Sequence, residues 1–528
     1  MLSPPTMRGL FRTDPRARAA YAEAAGIYRI IPAAVALPAD REDLVSLVRW
    51  AAEHRVALVP RGAGSAMGGG NVGEGVVVDL TSLPQRLHVD PSRHAATTSA
   101  SVTLAELNTA VGAHGLRLPP DPSSGRWATL GGMVSTNAAG ARSVRYGSVR
   151  RWVQAVELVL GDGEVVELRR GERAPPAAAL RRFEAEILPE IHSAERLIAD
   201  RFPKTRKNSS GYALDAYLAS GDLLDLIIGA EGTLGLITSI EWKLDRVPPC
   251  RAGLRIGLRS LDDLVQVVAG LLTQKPSAVE LLDRTFLDLV GMEEGEAVLL
   301  VELERFDLPA LRGAVEASVE ALGSRPQSVD TALSTEAADR VWALRHAASP
   351  ILAGLPEERR SLQVIEDACL PVERMGDYIR LVRRAADRHT LPAVIFGHAG
   401  DGHVHVNLLP QIERPGWEAA VARVLEEVTD AVVRLGGTPS GEHGDGRLRA
   451  GLLTRVYGEE IMTIFHDLKR AFDPQGLLAP GVILPSGEPP ISRLKVGSQA
   501  APLPPDIAAA LREIERSGGY GRCRMELA

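Results

Sequence analysis

Two short stretches concentrate the residue types able to do chemistry. FGHAGDGHVHVNLLP, Phe396 to Pro410, holds three of the chain's 12 histidines. After the Gly400-Asp401-Gly402 turn the residues alternate strictly, which in a strand puts Val404, Val406 and Leu408 on one face and His403, His405 and Asn407 on the other. His398 precedes the turn and can fold back beside His405, so that two imidazoles meet one cation, although the spacing is not that of a helical zinc motif such as H-E-x-x-H. Taken singly, a histidine is more often a satisfied structural residue than a ligand. The second stretch, GGTPSGEHGDGRLRAG, sets Glu442 and His443 side by side among glycines that free the backbone from regular structure and expose both side chains. His398, His405 and Glu442 together would make a two-histidine, one-carboxylate set with positions left open for a substrate, which suits Zn²⁺, Mn²⁺ or Fe²⁺.

Three glycine-rich stretches point to a second kind of site. PRGAGSAMGGGN follows a β-like run, as a nucleotide loop should, but Gly62, Gly64 and Gly68 are spaced G-x-G-x-x-x-G, and consecutive glycines then return the chain to a strand. A Rossmann domain is disfavoured. What survives is a nest of backbone N–H groups able to face a diphosphate. The second stretch, Pro119 to Gly147, supplies Gly131, Gly132, Ser135, Asn137 and Gly140, small residues against which a long cofactor can lie. The third, IIGAEGTLGLIT, repeats the character.

The elements that must position these loops fall into blocks. REDLVSLVRWAAEHR has apolar residues at helical spacing, and TLAELNTAVGAHG opens with the capping-box pair Thr103 and Glu106. WVQAVELVLGDGEVVEL reads as a hairpin about Gly161-Asp162-Gly163, and Gly235 to Leu244 as a half-buried strand ending before Pro248-Pro249. A second block, with strand AVLLVELE and helix GWEAAVARVLEEVTDAVVRLGG, runs to Leu484. We therefore divide the chain into an arm (1–34), a first domain (35–246), a second (247–484) and a proline-rich tail (485–528) ending in the helical run IAAALREIERSG. The 60 basic and 67 acidic residues are interspersed and sum to −7, so no nucleic-acid partner is expected. Cys250, Cys369 and Cys523 stand far apart, against a disulfide framework or thiolate cluster, and fit a cytoplasmic protein. The N-terminus lacks a signal-peptide core, and no run of about 18 apolar residues occurs, so membrane contact is at most peripheral, at the inner face.

On these glycine stretches the sequence resembles the flavoproteins of the vanillyl-alcohol oxidase and p-cresol methylhydroxylase fold, in particular the D-lactate, glycolate and D-2-hydroxyglutarate dehydrogenase subgroup, from about Asp14 to Leu484. The resemblance implies an α+β fold: a two-subdomain FAD-binding domain followed by an α+β FAD-linked oxidase C-terminal (cap) domain. It assigns the pyrophosphate loop to Arg61, Gly62, Ala63, Gly64, Ser65 and Gly68. Isoalloxazine and ribityl contacts fall on Pro120, Asp121, Gly131, Gly132, Asn137, Gly140, Ser143 and Gly147, and a last motif on Glu231, Gly232 and Gly235. With Ser65 and Met67 where some members carry a flavin-linking histidine, non-covalent FAD is implied. Ala479-Pro480-Gly481-Val482 replaces the family's Asn-Pro-Gly-Lys.

The same resemblance makes His398, His405 and Glu442 the metal ligands for a 2-hydroxy acid. It makes His443 the base, with an imidazole pKa near 6.5, and Arg345 a partner for the substrate carboxylate; Asn407, on the polar strand face, can hold a substrate oxygen. Glu366 stands where 2-hydroxyglutarate dehydrogenases have a lysine, which by charge repulsion argues against a dicarboxylate. The chain carries no four-cysteine cluster, so a separate iron–sulfur subunit, an electron-transfer flavoprotein or a quinone is expected to take the electrons, and the tail could dock such a partner. A homodimer is left open. The alternatives are a non-redox flavoenzyme of the alkylglycerone-phosphate synthase type, a flavin-binding subunit of a larger oxidase, and an oxidase using oxygen directly.

Overall fold

Strand Leu58–Arg61 ends where the first glycine loop begins. In this computed structural model, which describes residues 4–521 and 524–528 and so leaves Cys523 outside, Leu58–Arg61 and Val76–Asp79 are parallel neighbours. Ala34–Leu37 and the edge strand Leu10–Arg12 complete a four-stranded sheet. Helix Arg41–His54, its first turn capped by the Asp40 side chain, buries Leu44, Leu47, Val48 and Ala51 on the core of this sheet. Among the described residues no helix separates Arg61 from Val76, so the loop opens back into a strand as its glycine run requires. A five-stranded antiparallel sheet follows, in the order Leu87–Asp90, Ala95–Ser99, Leu236–Lys243, Val153–Val159, Val165–Arg169. Its last two strands are the expected hairpin. The alternation in Leu236–Lys243 is kept, with Ile240 and Trp242 buried and Lys243 exposed. The capping box at Thr103 forms in both directions.

The second block is a seven-stranded antiparallel sheet, with the two histidine strands, Ala393–His398 and His403–Leu408, forming a hairpin inside it. Val404, Val406 and Leu408 enter the apolar core with helices Met375–Arg388 and Trp417–Arg434, which leaves the other face of the hairpin for polar groups. Register then sets the chemistry: His398 lies opposite His403, His405 opposite Phe396, and Glu280 of Ala278–Asp283 opposite His398. Partly buried ion pairs from Arg142 and Arg117 to Glu302 and Glu304 close the seam with the first block. Arg142 binds Glu302 at 2.7 Å and Asp121 at 3.0 Å, and Arg117 and the Tyr146 hydroxyl both bind Glu304.

The proline-rich tail is not a free linker. Leu494 and Val496 are buried against the arm, with the Lys495 N–H donating to Ile27 O and the Arg29 N–H to Arg493 O. Helix Pro505–Ser517 buries Ile507, Leu511 and Ile514, one helical stripe, and packs on helices Pro15–Ala20 and Ala348–Gly354. Tail and second block are further joined by Arg360 to Glu515 and by Arg512 to Glu357 at 2.6 Å.

Candidate active site

One cavity of about 600 Å³ runs between the two blocks and joins the glycine loops to the histidine hairpin. Of the residues expected to hold a cofactor, Arg61, Gly62, Ala63, Gly64, Ser65, Asp121, Gly131, Gly132, Gly140, Glu231, Gly232 and Gly235 line it. Gly68, Pro120, Asn137, Ser143 and Gly147 are not among its lining residues. The Gly68 carbonyl accepts the Arg447 and Leu448 N–H groups, the Ser143 hydroxyl donates to Gly140 O and to Asp401, and Gly147 ends a short helix. At Gly64 the backbone is left-handed (φ 78°) and an added Cβ would meet an Arg61 nitrogen at 2.6 Å, so the loop stays glycine. One donor and one acceptor left over in the lining fit a polar cofactor that offers both anionic oxygens and N–H or O–H groups, as FAD does. Arg61 and Asn71 both face the cavity, and each has a buried polar atom, Nη2 and Oδ1, with no partner among the described residues. The tail lines the same cavity with Arg512, Glu515, Arg516 and Tyr520.

At the other end stand all six residues of the expected chemistry: His398, His405, Glu442, His443, Arg345 and Asn407. Strand pairing brings His398 Nε2 to 3.2 Å from His405 Nε2, and Glu442 Oε1 comes within 3.2 Å and 3.6 Å of the two. The partners on the far sides fix the tautomers. His405 Nδ1 is 2.6 Å from the Glu366 carbonyl, which only accepts, so Nδ1 carries the hydrogen. His398 Nδ1 is 2.5 Å from Glu280 Oε1, and Glu280 is held below the usual carboxylate range because His398 and Arg345 outweigh its burial. Burial, with the neighbouring histidines, holds His405 well below its ordinary pKa and therefore neutral. Two lone pairs and a carboxylate oxygen thus converge with no hydrogen between them when both rings are neutral. Only a cation satisfies that arrangement: a proton on His398, whose affinity for it Glu280 raises against burial, or a metal ion. Atoms bound at about 2.1 Å in a tetrahedron stand about 3.4 Å apart, so the spacing fits a divalent ion.

His403, third histidine of the hairpin, is excluded from the set. Its Nε2 donates to Asp367 at 2.8 Å, and its Nδ1 accepts from Lys207 at 3.3 Å. The sequence reading missed Lys207, because a lysine in KTRKNSSG reads as an exposed loop; the fold buries it against Glu442 at 2.8 Å.

His443 departs from its expected ionisation. Its Nδ1 is 2.5 Å from Glu366 Oε2, and Asp367 and Glu366 overcome the cost of burial and push its pKa up to about 10. In the metal-free protein it is an imidazolium at neutral pH, so the expectation of a midpoint near 6.5 is corrected. Glu366 is corrected too. Its other oxygen pairs with the buried Arg449 guanidinium at 2.5 Å, so its charge is neutralised and does not repel a second carboxylate. Arg345 places Nε on Glu280 at 2.6 Å and its guanidinium over Phe396, and Asn407 Oδ1 accepts from the Ser361 hydroxyl at 2.9 Å.

Comparison with known proteins agrees in both blocks. Residues 32–169 match the FAD binding domain and residues 248–483 the C-terminal domain of FAD linked oxidases. The chain is 29% identical over 461 residues to a D-lactate dehydrogenase of Archaeoglobus fulgidus, covering 85% of this chain and 91% of that protein. It is 29% identical to glycolate oxidase subunit GlcD of Bacillus subtilis, covering 86% and 89%. It is 27% identical to a D-2-hydroxyglutarate dehydrogenase of Escherichia coli, covering 87% of this chain but spanning only 49% of that protein. Among solved structures, a 4-ethylphenol oxidase from Gulosibacter chungangensis superposes with a TM-score of 0.64 at 15% identity, over 90% of this chain and 94% of that one. An alkyldihydroxyacetonephosphate synthase superposes with a TM-score of 0.58 at 15% identity, over 89% and 82%, and at that identity the likeness is one of fold. With both domains matched in order along one cavity, the chain belongs to the FAD-linked oxidases: an FAD-binding domain followed by the FAD-linked oxidase C-terminal domain.

Proposed function

We propose that the protein oxidises a D-2-hydroxy acid of the lactate, glycolate or 2-hydroxyglutarate type to the 2-oxo acid, with FAD held non-covalently and a divalent metal, Zn²⁺, Mn²⁺ or Fe²⁺, held by His398, His405 and Glu442. The convergence of the His398 and His405 Nε2 atoms and Glu442 Oε1 at 3.2–3.6 Å, the spacing of ligands about one divalent ion, carries this reading. When bound, the metal supplies Lewis acidity to the substrate hydroxyl, and FAD supplies the hydride acceptor. Arg345 has its Nε committed to Glu280, and its terminal nitrogens, without a hydrogen bond among the described residues, are the donors for the substrate carboxylate. Asn407 has its oxygen on Ser361, which leaves its amide N–H groups for a substrate oxygen. His443 is held through Nδ1 by Glu366, so Nε2 is the atom that takes the hydroxyl proton once the imidazolium has released its own. Ser65 and Met67 face the cavity and neither side chain is an imidazole or a thiol, which supports non-covalent flavin. A separate iron–sulfur subunit, an electron-transfer flavoprotein or a quinone receives the electrons.

The test is anaerobic bleaching of the flavin by a panel of D- and L-2-hydroxy acids, with and without chelator. Bleaching by one D-acid that chelator prevents and added metal restores supports the reading and names the substrate. If no acid reduces the flavin with metal restored, the reading fails, and a non-redox enzyme or a flavin-binding subunit takes its place.

A further inference from the structure

The proposed chemistry leaves one buried cation beside the metal-facing atoms without a role. Lys207 reaches them from a loop of the first block, its side chain only 3% exposed, and Nζ donates to Glu442 Oε2 at 2.8 Å, to Gly140 O at 3.2 Å and to His403 Nδ1 at 3.3 Å. The two oxygens of Glu442 are thereby given different partners. Oε1 faces the Nε2 atoms of His398 and His405, while Oε2 is occupied by the ammonium. The same hydrogen-bond chain holds the backbone that carries the ligand: His403 passes on to Asp367, and Asp367 accepts the N–H groups of Glu442 at 3.2 Å and His443 at 2.9 Å.

A purely structural pairing accounts poorly for a lysine here. A neutral donor such as a serine hydroxyl would satisfy Oε2 without bringing a positive charge toward a cation site, and two like charges at a few ångströms in a poorly solvated interior repel. That repulsion weakens metal binding, yet it has a chemical consequence. Two neutral imidazoles, the Glu442 carboxylate and the Lys207 ammonium sum to zero at the metal-facing atoms, with the Asp401 carboxylate 3.7 Å from Nζ on the far side and held by the Ser143 hydroxyl, so a divalent ion in the site is neutralised less than by Glu442 without the lysine and keeps more of its charge for an anionic substrate.

We infer that Lys207 is a positioning residue for the metal site: it restricts Glu442 to one metal-facing oxygen and cancels its charge, at some cost in metal affinity, so that the site stays electropositive toward the carboxylate and hydroxyl of the 2-hydroxy acid. The inference rests on the metal-assisted reading above. Because it concerns charge, it separates from a structural role by sign, since a residue that merely held Glu442 in place would lose metal when removed.

The experiment uses the full-length flavin-loaded protein and four variants, Lys207→Met, Lys207→Gln, Lys207→Arg and the double variant Lys207→Met with Glu442→Gln. Three quantities are read: flavin absorbance, metal content after dialysis against graded chelator, and kcat and KM for flavin reduction. With Lys207→Met the metal is expected to survive at least tenfold more chelator, while kcat falls at least tenfold and KM rises. Lys207→Gln keeps a donor for Oε2 without the charge and shifts both in the same directions; Lys207→Arg restores them toward wild type; the double variant loads flavin but not metal. Metal retention that falls or stays unchanged in the neutral variants overturns the inference, as does an unchanged kcat. Failure of both neutral variants to load flavin while the arginine variant loads it assigns Lys207 to the fold alone and also overturns it. A wild-type protein that holds no divalent metal removes the metal-assisted reading itself, whereas metal in the wild type with unaltered variants removes only the role of Lys207.

Discussion

Replacing Glu366 by glutamine keeps the shape of the side chain and removes the charge between His443 and Arg449. In the metal-free protein Asp367 and Glu366 lift the His443 midpoint from 6.5 to about 10 against the cost of burial, which corresponds to about 5 kcal/mol of preference for the imidazolium. The sign follows. A folded-state pKa above the unfolded one contributes stability that is fully present below pH 6.5 and is lost as pH rises through about 10. Asp367 remains beside the ring, while the charge and the hydrogen bond of Glu366 are lost, so Glu366→Gln should lower the His443 midpoint clearly without abolishing the rise. It also strips the buried Arg449 of its carboxylate, and breaking such a pair costs roughly 3–5 kcal/mol near neutral pH. Histidine ring resonances followed by NMR titration of chelator-treated protein give the midpoint, and urea unfolding from pH 6 to 10 gives the stability. A midpoint moved by less than a few tenths in the variant would refute the assignment of that charge to Glu366, whatever the effect on stability.

Other outcomes follow from the same geometry. Glu442→Gln should retain FAD, lose the metal and slow substrate-dependent flavin reduction by at least a hundredfold, as read by metal analysis and stopped-flow absorbance. Gly446→Ala should weaken flavin retention and lower Tm by several degrees in a thermal scan, because the new Cβ would lie 1.9 Å from Gly68 O at a left-handed φ of 55°. Removing residues 485–528 exposes what Ile507, Leu511 and Ile514 cover and deletes Tyr520 from the cavity. The gross burial lost, about 1.5–3 kcal/mol per large apolar side chain, is offset by the ordering the tail no longer requires, so a net loss of a few kcal/mol and faster release of FAD on dilution are expected.

Local pattern was legible in the sequence wherever one element decided it alone. The alternation of HVHVNL put Val404 and Val406 in the core and His405 in the cavity because the pleat allows nothing else, and Thr103 with Glu106 formed its capping box because both partners lie within one turn. The prolines of the tail mark it in the sequence as irregular and available to a partner, whereas Leu494, Val496, Ile507, Leu511 and Ile514 dock it on this chain's own arm and second block. Position in a sequence does not show what a stripe will meet.

The ionisation states were illegible for the same reason. Whether His443 is neutral depends on Glu366 and Asp367, some 77 and 76 residues away, and whether Glu442 uses one oxygen or two depends on Lys207, 235 residues away, in the other block. His405 shows how strongly such distant partners decide chemistry. Its ring could carry the hydrogen on either nitrogen, and only the Glu366 carbonyl, which cannot donate, forces it onto Nδ1 and turns Nε2 toward His398. The residue that orients the base through its side chain therefore also orients a metal-facing ring through its backbone. A substitution at Glu366 that keeps the backbone in place should disturb His443 and leave the lone pair of His405 where it is, so that metal content stays intact in Glu366→Gln while the proton-transfer step slows.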